Sequence, residues 1–120
     1  METIPVVYSC SGCSSVAQLA NDIAITLDRE HIAEMSCIAG LGGDVPSLVK
    51  KAKSSTNIIA IDGCHLRCTK ETLARHEIIA AVEIVLTDFG LKKKLEQNVS
   101  AIDSMFVYKK VFQIIESKIP

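Results

Sequence analysis

Tryptophan is absent from this 120-residue chain, and aromatic residues make up only 4% of it. No excess of either charge is present: 13 Lys and Arg face 14 Asp and Glu, for a net charge of −1. That balance offers no strong field for phosphate backbones, so nucleic acid is not an expected partner. No apolar run approaches the roughly 20 residues needed to span a bilayer, so membrane insertion is not expected either. The opening Met-Glu-Thr-Ile-Pro has no basic segment and is interrupted by Pro5, which argues against a secretory signal and for a cytoplasmic protein. There is no linker, low-complexity stretch or internal repeat. A single domain over residues 1–120 is expected, long enough to bury a core without covalent staples. The mild charge asymmetry, a basic stretch from Leu91 onward, reads as the solvated face of a helix.

Hydrophobic residues are plentiful, at 48%, and they alternate between two periods. Ile4 to Tyr8 reads as a strand. Val16, Leu19, Ala20, Ile23, Ala24 and Leu27 recur at helical spacing, with Ser15 and Gln18 as a capping box. A second short strand is expected over Ala33–Ile38, closed by Gly40, Gly42 and Gly43. Asp44 is expected to cap a helix with Pro46 in its first turn, running to about Ser54. Asn57 to Ile61 is a continuous apolar run, typical of a strand buried on both faces. A helix near Thr69–His76 and a fourth strand at Val82–Leu86 follow. The last helix, from about Ser100, carries Met105, Tyr108, Phe112, Ile115 and Ile119 on one stripe. This alternation predicts an α/β fold: a small three-layer Rossmann-like or flavodoxin-like domain of about four parallel strands with helices on both faces.

Five cysteines are the unusual feature. An odd number cannot be a complete set of internal disulfides, and clustered Cys in a reducing compartment point to metal or redox chemistry. Cys10 follows the first strand, Cys37 ends the second, and Cys64 follows the third, with Cys68 one helical turn beyond. Parallel strands present their carboxyl ends at one edge, so the topology gathers these residues there. If the strand order is two-one-three-four, the Cys10 loop is flanked by the Cys37 and Cys64 loops. Cys10–Cys13 is a C-x2-C pair and Cys64–Cys68 a C-x3-C pair. Each spacing lets two thiolates reach one tetrahedral ion at about 2.3 Å, and soft thiolates select zinc, copper(I) or an iron–sulfur cluster. Cys37, inside an apolar strand, reads equally well as a core residue.

The segments Tyr8-Ser-Cys-Ser-Gly-Cys13, Cys37-Ile-Ala-Gly-Leu-Gly-Gly43 and, above all, Asp62-Gly-Cys64 resemble the DGC domain family, named for that tripeptide. The resemblance runs from about residue 5 to 90. It implies a zinc-binding domain with four chelating cysteines and an otherwise unknown role. Cys10, Cys13, Cys64 and Cys68 are the first choice of ligands. Five cysteines stand where the family has four, so Cys37 remains an alternative. His65, where a Pro is expected after the tripeptide, adds a nitrogen ligand or an exposed turn residue.

Other readings compete. Cys10 and Cys13 at a strand-to-helix junction could serve a thiol redox or thiol-transfer protein. The small-residue loop Ser9–Ser15, entering a helix, could hold an anion and favour the Cys13 thiolate. A phosphatase-type loop needs an Arg to clamp phosphate, and Ser-Ser-Val-Ala-Gln-Leu after Cys13 has none. No Gly-Lys-Ser or Gly-Lys-Thr marks a nucleotide loop. Asp88-Phe89-Gly90 spells a kinase signature by coincidence, since the other kinase elements are missing. His31 and His76 sit at predicted helix ends, where cation–dipole contacts suffice to explain them. Asp62 is either a ligand's supporting carboxylate or good turn chemistry.

Overall fold

The computed structural model of the protein describes residues 4–119. Four strands, β1 (Val6–Ser9), β2 (Glu34–Met35), β3 (Ile58–Asp62) and β4 (Val82–Val85), form one parallel sheet in the order β2-β1-β3-β4. Five α-helices connect or follow them: α1 (Ser15–Arg29), α2 (Ile38–Gly42), α3 (Pro46–Ser54), α4 (Cys68–Arg75) and α5 (Ala101–Lys118). A 3-10 turn, Leu86–Phe89, leaves β4. Among the described residues no helix is long and apolar enough to cross a membrane.

The period of two in β1 and β3 sorts side chains onto two faces. Val7, Ile59 and Ile61 point into a core shared with Leu19, Ile23 and Leu27 of α1 and Val107, Val111 and Ile115 of α5. Val6, Tyr8, Ile58 and Ala60 point the other way, against Leu41 of α2, Ala52 of α3 and Leu73 of α4. The three-layer α/β expectation therefore holds, with β1 and β3 central and buried on both faces.

Local boundaries differ in instructive ways. β2 is only two residues long; the expected strand through Ile38 gives way to α2, capped by Cys37, whose Sγ accepts from Gly40 N at 3.4 Å. Cys37 is exposed, so its reading as a core residue is overturned. Ser14, not Ser15, caps α1 by accepting from Ala17 N at 3.2 Å, while the Gln18 amide reaches Gly12 O. Asp44 does not cap α3. It adopts a left-handed backbone (φ 61°), and its carboxylate turns to Arg75 at the end of α4, which holds it below the usual carboxylate range. Pro46 is in the first turn, as its fixed φ favours.

α5 starts at the expected Ser100 cap, but its buried stripe is Val107, Val111 and Ile115. Met105 is 68% exposed, and Tyr108 lies at the seam with α1, donating to Glu30 at 2.8 Å. Two apolar stripes overlap on this helix, and the compact β-branched one lets the axis approach the sheet. Val111→Ala is therefore expected to cost about 1–3 kcal/mol, whereas Ile102→Ala, at an 81% exposed position, stays within about 0.5 kcal/mol. Chemical denaturation of both variants at low protein concentration checks this.

Candidate functional site at the carboxyl edge of β1 and β3

The chain leaves β1 for α1 on one face of the sheet and leaves β3 for α4 on the other. The crevice between two central strands whose connections diverge is where ligands bind in open parallel sheets. Cys10 stands at the end of β1, and Asp62-Gly63-Cys64 ends β3. The ladder continues one step past the strands, with Cys10 N donating to Ile61 O at 3.1 Å.

Each residue of the tripeptide has a separate task. Asp62 is buried, and its carboxylate accepts from Thr69 N at 2.7 Å and Lys70 N at 3.1 Å. These are orphan donors of the first turn of α4, whose cap position holds Arg67 in a left-handed conformation with no side-chain cap. Asp62 caps that helix from a distance and favours its dipole. Gly63 lies against the first turn of α1: a Cβ there would sit 2.6 Å from Val16 C and 2.7 Å from Val16 O. Only glycine lets the two backbones approach so closely. Its N–H donates to Cys10 Sγ at 3.1 Å, and its carbonyl accepts from Thr87 N at 3.2 Å. Cys64 then emerges half-buried at the rim, with Lys93 Nζ 3.6 Å from its Sγ.

Electrostatics identify which thiols share a neighbourhood. Burial pushes the Cys10 thiol up to about 11; the Gly63 N–H opposes this, and the negative charges of Asp62, Cys68 and Cys64 add to it. Cys10 thus feels both Cys64 and the exposed Cys68 across the crevice. Cys13 is exposed in the loop before α1, and Cys37 is exposed beyond β2. His65 turns away to Asp88, with Nε2 3.1 Å from Oδ1. As they stand, no three His, Cys, Asp or Glu side chains among the described residues converge closely enough to hold an ion. The donor chemistry suits a soft cation, whereas the spacing calls for the loops to close.

Nothing in the residue pattern pointed to Lys93 as a partner of Cys64. Lys92 to Lys94 are not on a solvated helix face but in the irregular stretch before α5, and that stretch is strapped to α1. Ser15 N donates to Lys94 O at 2.8 Å, and Lys94 N donates to Ser15 Oγ at 3.0 Å. The strap brings a cation to Cys64 from a position remote in sequence.

Gly63→Ala is expected to destabilise the protein by about 1–3 kcal/mol, because backbone must shift to admit the methyl group. Gly12→Ala, where the added carbon meets only Ala17 Cβ at 3.9 Å, is its near-neutral control in thermal unfolding. For the thiols, Cys10 is expected to react with iodoacetamide at pH 8 at least about tenfold more slowly than Cys13 or Cys37. In denaturant the difference disappears. Since folding raises the Cys10 pKa from 9.0 to about 11, the folded state keeps a proton that the unfolded chain loses in that window. The contribution is whole below pH 9 and is lost as pH rises towards 11.

A curated protein of Pseudomonas aeruginosa, the anaerobic and virulence modulator AnvM, is 54% identical over 103 residues, covering 86% of this chain and 79% of its own. No solved structure matches the chain. The DGC domain profile matches residues 6–111, which takes in the crevice, the tripeptide and most of α5, and the chain belongs to the DGC domain family.

Proposed function

We propose that this protein is a cysteine-dependent binding module for a soft cation, zinc first, and that it acts as a regulator, not a catalyst. The observation that carries the reading is the Cys10 neighbourhood. A half-buried thiol lies near a buried carboxylate and two further thiols, and burial first, with the charges of Asp62, Cys68 and Cys64 adding to it, raises Cys10 to about 11. A divalent cation would reverse that cost, since it replaces protons on the thiols and neutralises the charge that burial disfavours. Cys10, Cys64 and Cys68 would hold it, with Cys13 turning in from its exposed loop as the fourth ligand. Closure falls to the segment 64–68, where Arg67 is left-handed and Leu66 is 67% exposed. The regulatory half of the proposal rests on the relative AnvM, whose name describes a modulator.

A thiol-transfer role for the Cys10–Cys13 pair has less support. The first cysteine of such a pair must present an accessible thiolate, and here it is the one that burial keeps protonated.

Protein purified under reducing conditions without chelator is expected to carry close to one zinc per chain by elemental analysis. Cys64→Ser lowers the content strongly, while Cys37→Ser leaves it unchanged. Because ligation displaces protons, zinc affinity rises with pH between 6 and 8. Metal removal is expected to lower the unfolding temperature without abolishing folding, since the sheet has its own aliphatic core. Folded, reduced protein that takes up no zinc at micromolar concentration would overturn the proposal. Loss of metal in Cys37→Ser with retention in Cys64→Ser would overturn the ligand set.

A further inference from the structure

We infer that α5 packs against α5 of a second copy of this chain, antiparallel, about a two-fold axis near Phe106. The helix is apolar on two sides. Val107, Val111 and Ile115 are buried against the sheet, while Ile102, Met105 and Phe106 are 81%, 68% and 51% exposed. The latter three fall at i, i+3 and i+4, so they form one outward patch. Single exposed apolar side chains are ordinary, but three large ones on one helix face are the mark of an interaction surface. Beside the patch, a groove of about 400 Å³ runs between α1 and α5, where Leu19, Ile23 and Tyr108 line the space next to Met105.

Charge says what covers the patch. Asp103 and Lys110 are seven residues apart, two helical turns, and therefore lie on the same flank as Phe106. Among the described residues neither takes part in an ion pair. In an antiparallel pair related by a two-fold axis near Phe106 and Val107, Asp103 of each copy meets Lys110 of the other. The surface is thus complementary to itself, as an isologous contact requires. Lys110 Nζ lies 5.4 Å from the centre of the Phe106 ring, so its charge borders the apolar patch that the second copy would cover. An 18-residue helix is about 27 Å long, and one helix pair buries less than a standard interface of about 800 Å² per partner. The expected dimer is reversible and weak, with Kd in the range of about 10–100 μM.

Sedimentation velocity on the full chain, in reducing buffer and from low to high micromolar concentration, tests the contact. A concentration-dependent monomer–dimer equilibrium is expected. Phe106→Glu is expected to weaken it more than tenfold while leaving the circular dichroism spectrum and the unfolding temperature at low concentration unchanged. Asp103→Lys and Lys110→Asp are each expected to weaken it, and the double variant to restore it. A protein that stays monomeric at about 500 μM overturns the inference, since dimers of the stated affinity dominate there. So does a dimer unaffected by Phe106→Glu, or one that the charge exchange fails to rescue. Neither readout depends on bound metal, so loss of the zinc proposal would leave this one standing.

Discussion

The close approach of the β3–α4 turn to the first turn of α1 governs this structure. At Gly63 the two backbones are too near for any side chain, and the contact brings together the ends of the two central strands. From it follow the N–H aimed at Cys10, the emergence of Cys64 beside it, and the carbonyl that accepts from Thr87 after β4. Asp62 completes the arrangement by tying α4 to β3 through two backbone N–H groups. The tripeptide is a structural joint before it is a chemical site: its aspartate holds one helix, its glycine admits another, and its cysteine is delivered to the rim.

The joint has an electrostatic consequence. Cys10 is half-buried, and burial first, then the charges of Asp62, Cys68 and Cys64, oppose its ionisation. Two features favour a thiolate there: the Gly63 N–H at Cys10 and the Lys93 ammonium at Cys64. A proton settles the imbalance, and in the proposed reading a cation would do so in its place. The choice between them would then couple the state of the edge to pH, to metal supply and to the strap that carries Lys93. That strap is anchored on α1 by paired hydrogen bonds at Ser15, next to the loop that bears Cys13. A change at the thiols would thus reach the start of α5 through a short, hydrogen-bonded path.

α5 shows the limit of reading amphipathicity from one strand of sequence. Met105, Tyr108 and Phe112 share a helical period with Ile115, and so do Val107 and Val111. Periodicity alone cannot rank two stripes that share a member. The sheet chooses the smaller side chains because they allow closer packing, and the larger ones are left facing outward or along the seam with α1.

Much of the architecture was legible in the residues themselves. Continuous apolar runs such as Ile58–Ile61 declare a strand buried on both sides, and the alternation of such runs with helical periods dictates a parallel sheet. Parallel strands in turn oblige Cys10 and Cys64 to share an edge. Short-range chemistry was less decisive: Ser14 and Ser15 are both good caps, and Asp44 is a good cap placed instead where Arg75 could reach it. Three things belonged to the tertiary structure alone. Cys37 became an exposed cap because β2 stops after two residues, Lys93 met Cys64 because a strap folds back on α1, and Asp62 capped a helix six residues downstream. Each depends on a contact between segments distant along the chain or on a turn's path in space. Local sequence states which groups can bond, and only the packed chain decides which of them meet.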